Sequence, residues 1–151
     1  AEYAYLGLPM LADSAVEAGA IGGIHAALTH AVEKRIAWTL VLACDMPFVS
    51  AKLLRLMHTY TSSRTDVDII VPHLASYAHM LHAFYHQRVL TQVTQAIANR
   101  EFAVRHLLQH VQVKTITETT LTQHRIPLPA LMNCNTPAEL AEARRLANNE
   151  N

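Results

Sequence analysis

Cysteine is almost absent: Cys44 and Cys134 are the only two in 151 residues. That is too few for a disulfide framework, and buried, reduced thiols at strand or strand-end positions are the expected state. Charge is scarce as well. Charged residues make up 16% of the chain and the formal net charge is zero, which leaves no Lys/Arg surplus for nucleic acid or an acidic membrane surface. No apolar run approaches membrane-spanning length; Trp38 to Cys44 is far too short. Ala1-Glu2-Tyr3-Ala4-Tyr5 carries no basic leader, so no secretory signal is expected and cytoplasm is the expected compartment. No initiator Met stands nearby, and the true start is read as trimmed or lost. Repeats, low-complexity tracts and linkers are missing too. With 51% hydrophobic residues to build one core, a single domain over 1–151 is expected.

What is present centres on Trp38-Thr39-Leu40-Val41-Leu42-Ala43-Cys44-Asp45-Met46-Pro47. Seven residues that read as a buried, central strand run into a carboxylate, and Pro47, with no N–H and a fixed φ, stops the strand. The carboxyl edge of a sheet is where ligands bind in open α/β folds, and a lone carboxylate there suits Mg²⁺, which takes few protein ligands beside phosphates and water. Asp45 is therefore the candidate metal and phosphate site. The alternative is an Asp that starts a turn and caps the next helix.

Upstream, Pro9-Met10-Leu11-Ala12 reads as a short strand that would place Asp13 at its end. Gly19-Ala20-Ile21-Gly22-Gly23 holds three of the four glycines and precedes a helix over Ile24–Val32 with Ile24, Ala27, Leu28 and Ala31 on one face. Glycines before a helix N-terminus admit a ligand close to the backbone and face it with free N–H groups, although tight turns use glycine in the same way. Ser50 caps a helix over Ala51–Thr61; Val67–Pro72 is a strand ended by proline; Leu81–Tyr85 is a strand, read as antiparallel at the switch toward the second half of the sheet. Helices are expected at Val89–Asn99 and Ala103–His110, and strands at Gln112–Thr117 and Ala130–Met132. Thr136, Pro137 and Glu139 form a capping box that starts a helix running to about Leu146. Asn133 and Asn135 lie beside it, as ligand-facing amides or as turn formers. Ten histidines include the pairs His82/His86 and His106/His110, but neither has the His-Glu-x-x-His arrangement or a Cys pair, and surface or hydrogen-bonded core histidines are expected.

In this order, Asp13, the Gly19–Ile24 turn, Cys44-Asp45-Met46-Pro47, Leu81-His82-Ala83-Phe84-Tyr85 and Asn133-Cys134-Asn135-Thr136-Pro137 resemble the molybdenum cofactor guanylyltransferases. Gly19, Ile21 and Gly23 answer to the family's Gly-Pro-Leu-x-Gly turn, with Ala20 and Ile21 replacing its Pro and Leu. The resemblance implies an α/β fold: a Rossmann-like, mostly parallel sheet with helices on both faces, nucleotidyltransferase-like, with the N-terminal βα unit, its glycine-rich loop and the next strand missing. It implies transfer of GMP from GTP to molybdopterin with release of pyrophosphate. Asp45 would bind Mg²⁺ and GTP and serve catalysis, and Asp13 would contact the nucleotide. Gly19, Gly22 and Gly23 would lie beside the guanosine, and Asn133 and Asn135 would face the molybdopterin side. Expected partners are GTP and molybdopterin, a second copy of the chain through an uncovered sheet edge, and molybdoenzyme maturation proteins in transient contact. A related CTP or sugar-phosphate transferase, or an inactive remnant that binds or oligomerises, are the alternatives.

Overall fold

Each central strand divides its side chains between two cores, the period-two signature of a sheet buried on both faces. The computed structural model describes residues 4–13, 15–63 and 66–149. Its strands are β1 (Trp38–Leu42), β2 (Ile69–Leu74), β3 (Tyr77–Ala78), β4 (His82–His86) and β5 (Val113–Thr117). The helices are α1 (Ala20–Glu33), α2 (Ala51–Ser63), α3 (Leu90–Ala98), α4 (Glu118–Gln123) and α5 (Pro137–Asn149). From β2, Ile69 and Val71 join α1, α3 and the 3₁₀ turn Val104–Gln109; from β4, Ala83 and Tyr85 do the same. Ile70 and Phe84 point the other way, to Leu53 and Met57 of α2, Leu121 of α4 and Ile116.

The sheet order is β1-β4-β2-β3, with β5 paired to β2. Only β2–β5 is a parallel pairing; β1–β4, β4–β2 and β2–β3 are antiparallel. An α/β sheet with helices on both faces is thus present. The expected parallel character holds for direction, since β1, β2 and β5 run the same way, but not for pairing, because β4 is wedged antiparallel between β1 and β2. Among the described residues β1 is an edge strand, not a central one. Its side chains are half-buried and Leu42 is exposed.

Four other boundaries depart from the sequence reading. Residues 7–13 take no regular form and Leu8, Met10 and Leu11 are exposed, so Asp13 is not at a strand end; four residues carrying a proline find no partner strand. α1 begins at Ala20 and takes Gly22 and Gly23 into its first turn. Pro72 does not end β2, because the sheet changes partner there: β4 pairs Ile69 and Ile70, β3 pairs His73 and Leu74, and the Pro72 carbonyl accepts from His79 N–H at 2.9 Å. Ala130–Met132 is not a strand. Leu128–Leu131 is a 3₁₀ turn, as the fixed φ of Pro129 favours. The short helix α4 escaped the sequence reading. Its cap is Thr117, whose hydroxyl accepts from Thr120 N–H.

A chain poor in glycine has to end its helices by other means. α1 closes with Arg35 N–H to Val32 O and Ile36 N–H to Ala31 O, α3 with Arg100 to Ile97 and Glu101 to Ala96, α4 with Arg125 to Thr122 and Ile126 to Leu121. This is the Schellman pattern, and in all three helices the left-handed residue, normally glycine, is an arginine at φ 57°, 60° and 49°.

Candidate active site

β1 delivers the chain to the turn that carries Asp45. Ala43 N–H donates to Leu81 O at 2.8 Å, which pins the start of the turn to the residue preceding β4. Met46 is buried at its end, with its sulfur 3.4 Å from His82 Nδ1. Cys134 N–H donates to Asp45 O at 2.8 Å, so the Asn133–Asn135 segment lies directly against the Asp45 turn.

That segment is held from its other side by the predicted capping box. Glu139 Oε2 accepts from the N–H groups of Asn135 and Thr136, both at 2.8 Å, and Thr136 Oγ1 accepts from Glu139 N–H at 3.2 Å. The Asn135 N–H first, and the Thr136 hydroxyl next, hold the Glu139 carboxyl below its ordinary pKa. Ser50 likewise caps α2, accepting from Leu53 N–H.

Asp45 Oδ1 and Asn133 Oδ1 are both buried with no hydrogen-bond donor among the described residues. These oxygens belong to the two residues at and beside the Cys134–Asp45 backbone contact, and buried acceptors call for donors or a positive charge. The set fits a hard cation with oxygen ligands. Among the described residues no three His, Cys, Asp or Glu side chains gather to hold a metal, so such a cation would take most of its coordination from phosphates and water, as Mg²⁺ does.

Beside the turn lies a cavity of about 270 Å³ lined by Ala20, Met46, Asn133, the Tyr77–Leu81 segment and Ala103–Arg105. It joins the start of α1 to both motifs. Of the site residues singled out in the sequence only Asn133 lines it; Asp45, Asp13, Gly19, Gly22, Gly23 and Asn135 do not. Asp13 stays close to the glycine turn: its Oδ1 would be 3.7 Å from a Cβ at Gly23. Gly19 is the N-cap of α1 at φ 57°, a left-handed position that disfavours a side chain. At Gly22 a Cβ would stand 2.8 Å from the Ala15 carbonyl oxygen. The expectation of two buried thiols fails for Cys44, which is exposed in the turn; Cys134 is half-buried and both are free.

The residues matched by the MobA-like NTP transferase domain are 1–117, ending with the last residue of β5. The chain belongs to that family. A probable molybdenum cofactor guanylyltransferase of Pelotomaculum thermopropionicum is 31% identical to this family member over 144 residues, covering 95% of the chain and 67% of the relative. The molybdenum cofactor guanylyltransferase of Vibrio campbellii is 27% identical, covering 85% of the chain and 60% of the relative. The crystal structure of molybdopterin-guanine dinucleotide biosynthesis protein A from Archaeoglobus fulgidus superposes with a TM-score of 0.72 at 26% identity, over 87% of the chain and 64% of that structure. An Aquifex aeolicus structure shares the fold, with a TM-score of 0.71 at 21% identity. The chain spans about three fifths to two thirds of the length of these proteins. Among the described residues no helix of this MobA-like domain is long and apolar enough to cross a membrane.

Sequence reasoning missed the wall formed by Tyr77, His79 and Arg105, since β3 has two residues and no pattern to find. Burial, and then the neighbouring His73, lower the pKa of His79. The exposed Arg105 therefore brings the fixed positive charge to this cavity.

Proposed function

We propose that this MobA-like domain transfers GMP from GTP to molybdopterin, forming the guanine dinucleotide of the cofactor and releasing pyrophosphate. The observation that carries the reading is the pair of unpartnered buried oxygens, Asp45 Oδ1 and Asn133 Oδ1, contributed by the two motifs. In the reaction a phosphate oxygen of the acceptor attacks the α-phosphorus of GTP, a new P–O bond forms, and the α–β bridging bond breaks with its electron pair leaving on pyrophosphate. Such displacements need positioning and neutralised charge more than a covalent nucleophile. Asp45 and Asn133 would hold Mg²⁺, which when bound neutralises the phosphates and polarises the reacting phosphoryl group. The start of α1, opening on the cavity at Ala20, offers backbone N–H groups to an anion. Arg105 offers a fixed positive charge to the acceptor. Asp13 and the Gly19–Gly23 turn would take the guanosine side, and Asn135 the rim of the acceptor side. Work in the cytoplasm follows from a reaction on soluble metabolites.

The test is calorimetric titration with GTP and with CTP, each with and without Mg²⁺, on the chain and on Asp45→Asn. Selective, Mg²⁺-dependent GTP binding that falls by about tenfold or more in Asp45→Asn is expected. Equal binding of GTP by the variant removes Asp45 from the site, and preference for CTP moves the reading to a cytidylyltransferase. We also infer that the β1 edge pairs with a second copy, because Val32, Ile36 and Leu42 are exposed on and before that strand.

A further inference from the structure

Among the described residues, one polar side chain is buried, that of His82. It opens β4 opposite Leu42 of β1, at the point where the Asp45 turn leaves the sheet. Its Nδ1 stands 3.4 Å from Met46 Sδ. A thioether has no proton to give, so Nδ1 carries the hydrogen, the contact is N–H to sulfur, and Nε2 keeps a bare lone pair. That Nε2 is buried and without a donor, as are Asp45 Oδ1 and Asn133 Oδ1. An apolar side chain would fill the same space without that cost, so what the ring adds beyond bulk is a directed N–H. Burial, and then His79, lower its pKa to about 4, and the ring is neutral at physiological pH.

The Asp45 turn therefore has three ties to two segments, the start of β4 and the Asn133 segment. Ala43 N–H holds its start to Leu81, His82 holds its end through Met46, and Cys134 N–H holds Asp45 itself to the Asn133 segment. The first and third are backbone bonds that most substitutions leave in place; the second depends on two particular side chains. We propose that His82 is a positioning residue for nucleotidyl transfer: its Nδ1–H, acting through Met46, sets where the Asp45 carboxylate stands relative to Asn133. The proposal rests on Asp45 as the cation- and phosphate-facing group, while its geometric half can be measured without any ligand.

The experiment compares the full chain with His82→Leu, His82→Asn and Met46→Leu, reading the hydrogen exchange of the Cys134 amide and the affinity for Mn²⁺ in the presence of GTP. Both leucine variants are expected to speed Cys134 exchange and to weaken Mn²⁺ binding by about tenfold, with the β2 amides unchanged. His82→Asn keeps an N–H near the place of Nδ1 and is expected to recover most of both. If His82→Leu does not fold, Met46→Leu, which puts an apolar side chain of similar volume in place of the sulfur acceptor, carries the comparison. Unchanged Cys134 exchange in Met46→Leu, or an Asn variant as impaired as the Leu variant, overturns the proposal while leaving the proposed function standing. A wild-type chain that binds no Mn²⁺ with GTP overturns the reading of Asp45, and the proposal with it.

Discussion

His82 is a histidine that behaves as a neutral core residue, and this gives stability a definite pH dependence. The folded chain holds its pKa at about 4 against an ordinary 6.5. Between those values the unfolded chain binds the proton more readily, so this contribution is complete above pH 6.5 and is lost as pH falls toward 4. The effect amounts to at most about 3 kcal/mol. Urea titrations from pH 7 to pH 4 are expected to show a fall in stability that His82→Asn flattens; an equal slope in both proteins would assign the fall to other groups. Single residues were also where the sequence spoke unevenly. Asp45 could be singled out because a strand-like run stops at Pro47, but the backbone bond that brings Cys134 and Asn133 to it is one that no local pattern discloses. His82 read as a strand residue in an i,i+4 histidine pair, and nothing nearby in sequence discloses that its partner is Met46.

At the scale of elements, legibility followed local chemistry. The capping box of α5 was readable because Thr136, Pro137 and Glu139 make their bonds within one turn, and Ser50 was readable for the same reason. The start of α1 was not. Glycine argues against helix, and the packing of Gly22 under the Ala15 carbonyl overrides that preference through a contact that no hydrophobic pattern discloses. The helix ends were equally opaque, since left-handed arginines at 35, 100 and 125 carry no signal. Each such residue costs roughly 1–2 kcal/mol relative to glycine in that conformation, offset in part by the greater unfolded-state entropy of glycine. Arg35→Gly and Arg125→Gly are therefore expected to stabilise the chain by about 0.5–1 kcal/mol each. Arg100 also faces Glu17 at 3.7 Å across an exposed gap, a pairing that Arg100→Gly would lose. Chemical denaturation of the two single variants and the double variant checks this, and a loss of stability in either would show that its guanidinium makes contacts worth more than the strain.

For the whole molecule, strand order is the property least visible in sequence. β1 was expected at the centre because Leu40, Val41 and Leu42 form a continuous apolar run, a pattern shared by buried strands and by edge strands whose outer side meets another surface. Strand β4 was legible as a strand from its alternation, yet its insertion between β1 and β2 follows only from pairings far apart in the chain. The exposed Val32, Ile36 and Leu42 along this edge predict self-association. Sedimentation at micromolar concentrations is expected to show dimers or larger species that Leu42→Lys returns to monomer; a monomer at all concentrations would refute the pairing.

The hydrogen bond between Cys134 and Asp45 has a meaning for the life of the polypeptide on the ribosome. Among the described residues the strand pairings are complete once Thr117 has been made, whereas Asp45 meets Cys134 only after that residue has emerged. A nascent chain can thus acquire these pairings while the acidic turn still lacks its bond to Cys134. A premature stop codon between those two points would leave these strand pairings and the ties of the turn to Leu81 and His82, but would remove α5 and the bond that joins Asp45 to Cys134.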